Sequence, residues 1–147
     1  MTKHCTDTTN YKKFRPHGRV EITTVDNKIA VFRALGPFNL ELLDALQQIE
    51  PVALQAMDIE NNSWVEIVVF EQSCLASDEL FAEFCLHLTA LKASGFSPVA
   101  SAFVFTDEID GTLLMLDKYR KCFADAGLVF NDFNNETDAM EWVRSFL

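Results

Sequence analysis

The chain has 147 residues, 49% of them hydrophobic with 13 Phe, and a formal net charge of −10 at pH 7. That length fits one domain whose single core buries roughly two thirds of the surface of the unfolded chain, and no apolar stretch approaches the roughly 20 residues needed to span a bilayer. The charge is divided: residues 1 to 19 carry five basic groups against Asp7 and the rest carries 7 basic and 21 acidic groups, and an acidic body argues against nucleic acid as a partner because phosphate binding is dominated by cationic surface.

Residues 1 to 18 read as a flexible basic tail, polar and Thr-rich, with Pro16 and Gly18 at its end. They lack the apolar stretch of a secretory signal, so a cytoplasmic location is expected, with peripheral membrane association left open. The domain proper is residues 19 to 147. Arg19 to Val25 and Lys28 to Leu35 read as two strands joined by Asp26-Asn27, residues that tolerate turn geometry, and so predict a hairpin. Gly36-Pro37 breaks the chain. Asn39 can then cap a helix that places Leu42, Leu43, Leu46 and Ile49 on one face, and Pro51 should end or kink it.

The run Val65 to Phe70 (VEIVVF) is almost uninterrupted in its apolar character, as is Val99 to Phe105 (VASAFVF). Such runs suit strands covered on both faces, and each is followed by a helical pattern, which predicts neighbouring parallel strands in the sheet interior. Between them Ser77 caps a second helix, with Asp78 and Glu79 in its first turn, Leu80, Phe81, Phe84, Leu88 and Leu91 inward, and Gly95 at its end. His87 sits at the edge of that face, where a lone histidine packs more often than it catalyses. A third helix ends at Gly127, a short strand covers Leu128 to Phe133, and Asn135 with Asp138 opens a last helix carrying Ala139, Trp142, Val143 and Phe146 inward. The order is α/β: a mixed, mostly parallel sheet of about five strands with four helices.

Little in the chain carries chemistry. Cys5, Cys74, Cys85 and Cys122 are too widely spaced for a zinc site, and no cofactor is called for. Cys85 and Cys122 are expected as reduced packing residues on helices. Cys74 precedes a helix N-terminus that would lower its pKa, but Glu71, Asp78 and Glu79 oppose a thiolate. The remaining carboxylates read as a solvated acidic surface. On the third helix, with Leu116 at the centre of the inward face, Ile109, Leu113 and Phe123 fall within about 60° of it, whereas Leu114 and Met115 point about 160° and about 100° away, beside Lys118 and Lys121. The apolar run Leu113 to Leu116 cannot all face inward. Leu113, Leu114, Met115, Lys118 and Lys121 therefore form the candidate ligand- or membrane-binding surface, with a second copy of the chain as another way to cover it.

The stretches GPFNLELLDAL at 36 to 46, VEIVVF, SPVASAFVF at 97 to 105 and GTLLM at 111 to 115, with Phe133, Ala139 and Trp142 near the end, resemble the bacterial SpoIIAA-like proteins of the STAS group, also grouped with CRAL-TRIO-like lipid-binding folds. The resemblance implies a non-enzymatic module that binds a small apolar or lipid-like ligand or associates with membrane. It also implies an alternative, a regulatory interaction module of the anti-sigma-factor-antagonist type. Those antagonists carry Asp-Ser-Ser/Thr-Gly after the buried strand, with a serine phosphorylated by a kinase partner. Here Glu71 to Ser77 (EQSCLAS) lacks the aspartate and the glycine, so Ser73 and Ser77 match only in position, and the N-cap role explains Ser77.

Overall fold

The computed structural model of the chain describes residues 3–8, 16–57 and 63–147. Six strands form one sheet in sequence order: β1 Lys3–Cys5, β2 Arg19–Val25, β3 Ile29–Leu35, β4 Val65–Glu71, β5 Ala100–Val104 and β6 Phe130–Phe133. The first three run antiparallel and the last four parallel. Helices α1 Leu40–Gln55, α2 Asp78–Ser94 and α3 Thr112–Ala126 connect successive parallel strands, and α4 Glu136–Arg144 follows β6. The two apolar runs behave as their composition predicts: β4 and β5 are adjacent and parallel, Val65 beside Ala100 and Val69 beside Val104, with β3 and β6 outside them.

The local signals act at the expected places. Asp26 and Asn27 take φ of 55° and 58°, and Lys28 N–H donates to the Val25 carbonyl, so both central residues of the turn are left-handed as a tight hairpin requires. Asn39, Ser77 and Asn135 each accept a hydrogen bond from the backbone N–H three residues on, at 3.0, 3.2 and 2.8 Å. Gly36 is required by a close approach, because a Cβ there would collide with the Ser73 carbonyl. That approach lets the loops after β3 and β4 zip together, Phe38 N–H donating to the Leu75 carbonyl and Ser77 N–H to the Phe38 carbonyl.

Four expectations are corrected. The sheet has six strands rather than about five, because Lys3–Cys5, expected within a flexible tail, is an edge strand on β2. Charge complementarity holds it: Lys3 pairs with Glu21 at 3.2 Å, Arg19 reaches Asp7 at 2.7 Å, and Thr6 Oγ1 accepts Val20 N–H. Residues 9 to 15 of the expected tail, with Lys12, Lys13 and Arg15, lie outside the described residues. Of the two outcomes expected at Pro51, an end to the helix is the one excluded: α1 continues to Gln55 because burial of Ala53 and Leu54 beyond the exposed proline offsets one missing backbone hydrogen bond. Cys85 and Cys122 are not separate thiols: they face each other across α2 and α3 and form a disulfide, with Cα atoms 5.5 Å apart. Phe146 falls beyond the end of α4 and is exposed.

The sheet divides the core in two. Helix α4 covers one face through Ala139 and Val143, against Ile67, Ala102, Val104 and their neighbours. Helices α1, α2 and α3 cover the other, where most of the aromatic residues lie. Among the described residues no helix is long and apolar enough to cross a membrane.

Candidate functional site

Strand residues alternate faces, so those that lean toward α1, α2 and α3 follow from register alone. They are Val20 of β2, Phe32 and Ala34 of β3, Glu66, Val68 and Phe70 of β4, and Phe103 of β5. Leu42, Leu43 and Leu46 of α1 and Leu80, Phe84 and Leu88 of α2 close over them. These side chains do not fill the space between them: an apolar cavity of about 100 Å³ remains between the helices and the sheet. Next to it, a groove of about 370 Å³ runs between the end of α1 and the end of α2, lined by Pro51, Leu54, Met57 and Phe96 among others. Glu50, His87 and Leu91 border both spaces.

Three titratable groups from three elements meet at that boundary. Glu66 is the one carboxylate of β4 that faces the helices, in a row with Ala30 of β3 and Ser101 of β5. It is 8% exposed, and the fully buried Ser101 hydroxyl donates to its Oε1 at 2.7 Å. Glu50 reaches in from α1, 7% exposed, and His87 of α2 stands with Nε2 3.7 Å from its Oε1. Burial pushes the Glu66 carboxyl up to about 7, more than the Ser101 hydrogen bond pulls it down; the charge of Glu50 adds to the rise and His87 opposes it. Contact with Glu50 raises His87 above its ordinary value, against the effect of burial. The group can therefore hold or release a proton near neutral pH, and it offers both hydrogen-bond donors and acceptors at the rim of an apolar space.

The far wall is a cluster of packed rings. Phe103 has ring centroids 5.0 to 5.6 Å from those of Phe70, Tyr119, Phe123 and Phe130. The Tyr119 hydroxyl donates to the Cys74 carbonyl at 3.0 Å, fixing α3 to the loop after β4, and burial raises its pKa. The disulfide adds a covalent tie between α2 and α3 next to Phe84.

The surface expected on α3 is divided. Leu113 and Leu114 are exposed, and Lys118 lies with them at the surface. Lys121 is engaged with Asp125 at 2.7 Å. Met115 is buried at 2%, correcting its expected outward direction, and Leu113, expected inward, is fully exposed. The inward face is set by Met115, Tyr119, Cys122 and Phe123, a spacing of four, three and one that turns the helix away from a stripe centred on Leu116. Of the loop residues, Ser73 is buried with its Oγ accepting from Leu75 N–H, and Ser77 is committed to the cap of α2. Cys74 is buried too, and burial pushes its thiol up to about 11, so it is no reactive thiolate.

The sequence reading missed the cluster of Glu50, Glu66 and His87, because it assigned the carboxylates to a solvated surface. One signal was present: Glu66 interrupts a run otherwise apolar on both faces, and a carboxylate in such a place must be buried or at an edge. Among the described residues no group of three or more His, Cys, Asp and Glu side chains is arranged to hold a metal ion. Comparison of the chain with family models, with curated proteins and with solved structures returns no match.

Proposed function

We propose that this protein is a binding module for a small apolar ligand, held between α1, α2 and the sheet rather than on the outer face of α3. The observation that carries the reading is the unfilled apolar cavity adjoining, across Glu50, His87 and Leu91, a groove of about 370 Å³. Ligand sites are concave, mostly apolar and carry a few polar groups that fix orientation, with volumes of roughly 300 to 1,000 Å³. The groove is of that size, and Glu50, Glu66 and His87 are polar groups of that kind. The resemblance of the sequence to SpoIIAA-like and CRAL-TRIO-like proteins is in line with the proposal and does not carry it. The membrane-surface reading loses Met115 to the core and keeps Leu113 and Leu114. The alternative, an interaction module of the anti-sigma-factor-antagonist type without the usual phosphorylatable serine motif, is compatible with a buried Ser73 and a capping Ser77, but no further observation favours it.

Titration calorimetry with octanol tests the reading. We expect saturable binding with a negative heat-capacity change, the mark of apolar burial. Leu46→Trp, which extends an indole from α1 into the cavity, should weaken it by about tenfold or more. Equal affinity for the variant and the wild type would place octanol elsewhere and overturn the assignment.

A further inference from the structure

The chamber's polar rim has an unbalanced charge. Two carboxylates, Glu50 and Glu66, stand against one imidazole, His87, where more than nine-tenths of each carboxylate residue is shielded from water. A buried carboxylate is costly unless a cation or hydrogen-bond donors compensate it. Glu50 has His87; Glu66 has the Ser101 hydroxyl. Among the described residues that line the cavity no side chain adds a cation other than His87: Tyr119 of α3 gives its hydroxyl to the Cys74 carbonyl, and beside Glu66 in the sheet stand Ala30 and Ser101. Burial pushes the Glu66 carboxyl up to about 7, so that below this pH a proton offsets the surplus negative charge.

Resting on the reading of the chamber as a ligand site, we propose that its ligand is an amine, whose ammonium group docks between Glu50 and Glu66 beside His87 and whose apolar part lies in the cavity and groove. The ammonium takes over the role of the Glu66 proton. It brings the missing positive charge to the site and donates hydrogen bonds to carboxylate oxygens, and its binding releases that proton where Glu66 had held it. The same rim disfavours a fatty-acid carboxylate, which would be a third negative charge in the same place. Neutral apolar molecules are tolerated without preference, because they leave the proton where it is.

Three ligands with one chain length separate these cases: octylamine, octanol and octanoate, titrated calorimetrically at pH 5 and pH 8 into the wild type, Glu66→Gln and Glu83→Gln. Glu83 is exposed on α2, so its variant matches the change in net charge away from the chamber. We expect octylamine to bind about tenfold more tightly than octanol at pH 8, and octanoate to bind more weakly than either. The preference for the amine should shrink at pH 5, where Glu66 holds its proton, and should be lost in Glu66→Gln but kept in Glu83→Gln. Should Glu66→Gln fold poorly by circular dichroism, Glu50→Gln at the other side of the rim serves the same comparison. Equal binding of all three ligands would overturn the amine assignment and leave the chamber reading standing. An amine preference that survives Glu66→Gln, or falls equally in Glu83→Gln, would reduce it to attraction by the acidic surface and also overturn it. Failure of octanol and octylamine alike to bind would sink the chamber reading itself.

Discussion

Toward α4 the central strands present Val31, Val65, Ile67, Ala102 and Val104; toward α1, α2 and α3 the same strands present Phe32, Glu66, Val68, Phe70 and Phe103. The first face is made of small and β-branched side chains, which interlock under a helix of nine residues and leave Ala139 and Val143 with no exposure. The second is made of large rings under three helices. Rings set at 5 to 6 Å from one another in tilted and edge-on pairs hold each other in place but do not fill every gap, and the gap lies between the sheet and the residues of α1 and α2 that close over it. Closure and cavity thus come from one sheet by a choice of side-chain size on alternate positions. The charged residues follow the same division: Glu50, Glu66 and His87 meet on the loosely filled side, where a ligand would find them.

The largest effect that would sharpen this contrast is a pH dependence carried by that side. Glu66 has a folded pKa of about 7 against an ordinary value of 4.5. Between these values the folded state keeps a proton that the unfolded state has lost, so stability falls as pH rises through that window and levels off above it. His87 acts in the same direction: its raised pKa contributes stability that is present below its ordinary value of 6.5 and is lost as pH rises through the folded value. In urea unfolding at several pH values, the wild type should lose about 2 to 3 kcal/mol relative to Glu66→Gln between pH 4.5 and pH 7. A constant difference across that range would mean that Glu66 is solvated and the rim is not a desolvated site.

A smaller effect tests the packing difference directly. Enlarging Ala139 to Leu, on the α4 side, forces extra methyl groups into a filled layer and should cost about 1 to 3 kcal/mol. Enlarging Ala34 to Val, which borders the cavity, has space to enter and should change stability by less than about 1 kcal/mol in either direction. Equal losses in thermal unfolding would abolish the distinction between a closed face and an open one.

The sheet was legible because its signals are local. VEIVVF and VASAFVF are apolar on both alternating faces, Asn39, Ser77 and Asn135 stand where caps are needed, and Asp26-Asn27 can take the left-handed turn. The chamber was not legible, because it depends on where separate elements meet. Nothing local tells that Glu50 near the end of α1 arrives beside His87 of α2 and above Glu66 of β4, although the position of Glu66 inside an apolar run was itself a warning. The direction of α3 was misread for a related reason. The run Leu113 to Leu116 is the most apolar part of the helix, but the helix turns on Met115, Tyr119, Cys122 and Phe123, with the Tyr119 hydroxyl finding the Cys74 carbonyl. The edge strand Lys3–Cys5 escaped because three residues, two of them polar, carry no strand pattern, and their order comes from pairing with β2 and from the ion pairs Lys3–Glu21 and Arg19–Asp7.

The most direct test of the chamber as the binding site is methyl-resolved NMR during titration with octanol. The account predicts that the shifts concentrate on Leu42, Leu46, Val68, Leu88 and Leu91, with Val31, Ile67, Val104 and Val143 on the α4 side unmoved. Shifts confined to Leu113 and Leu114 would contradict it and return the function to the outer face of α3.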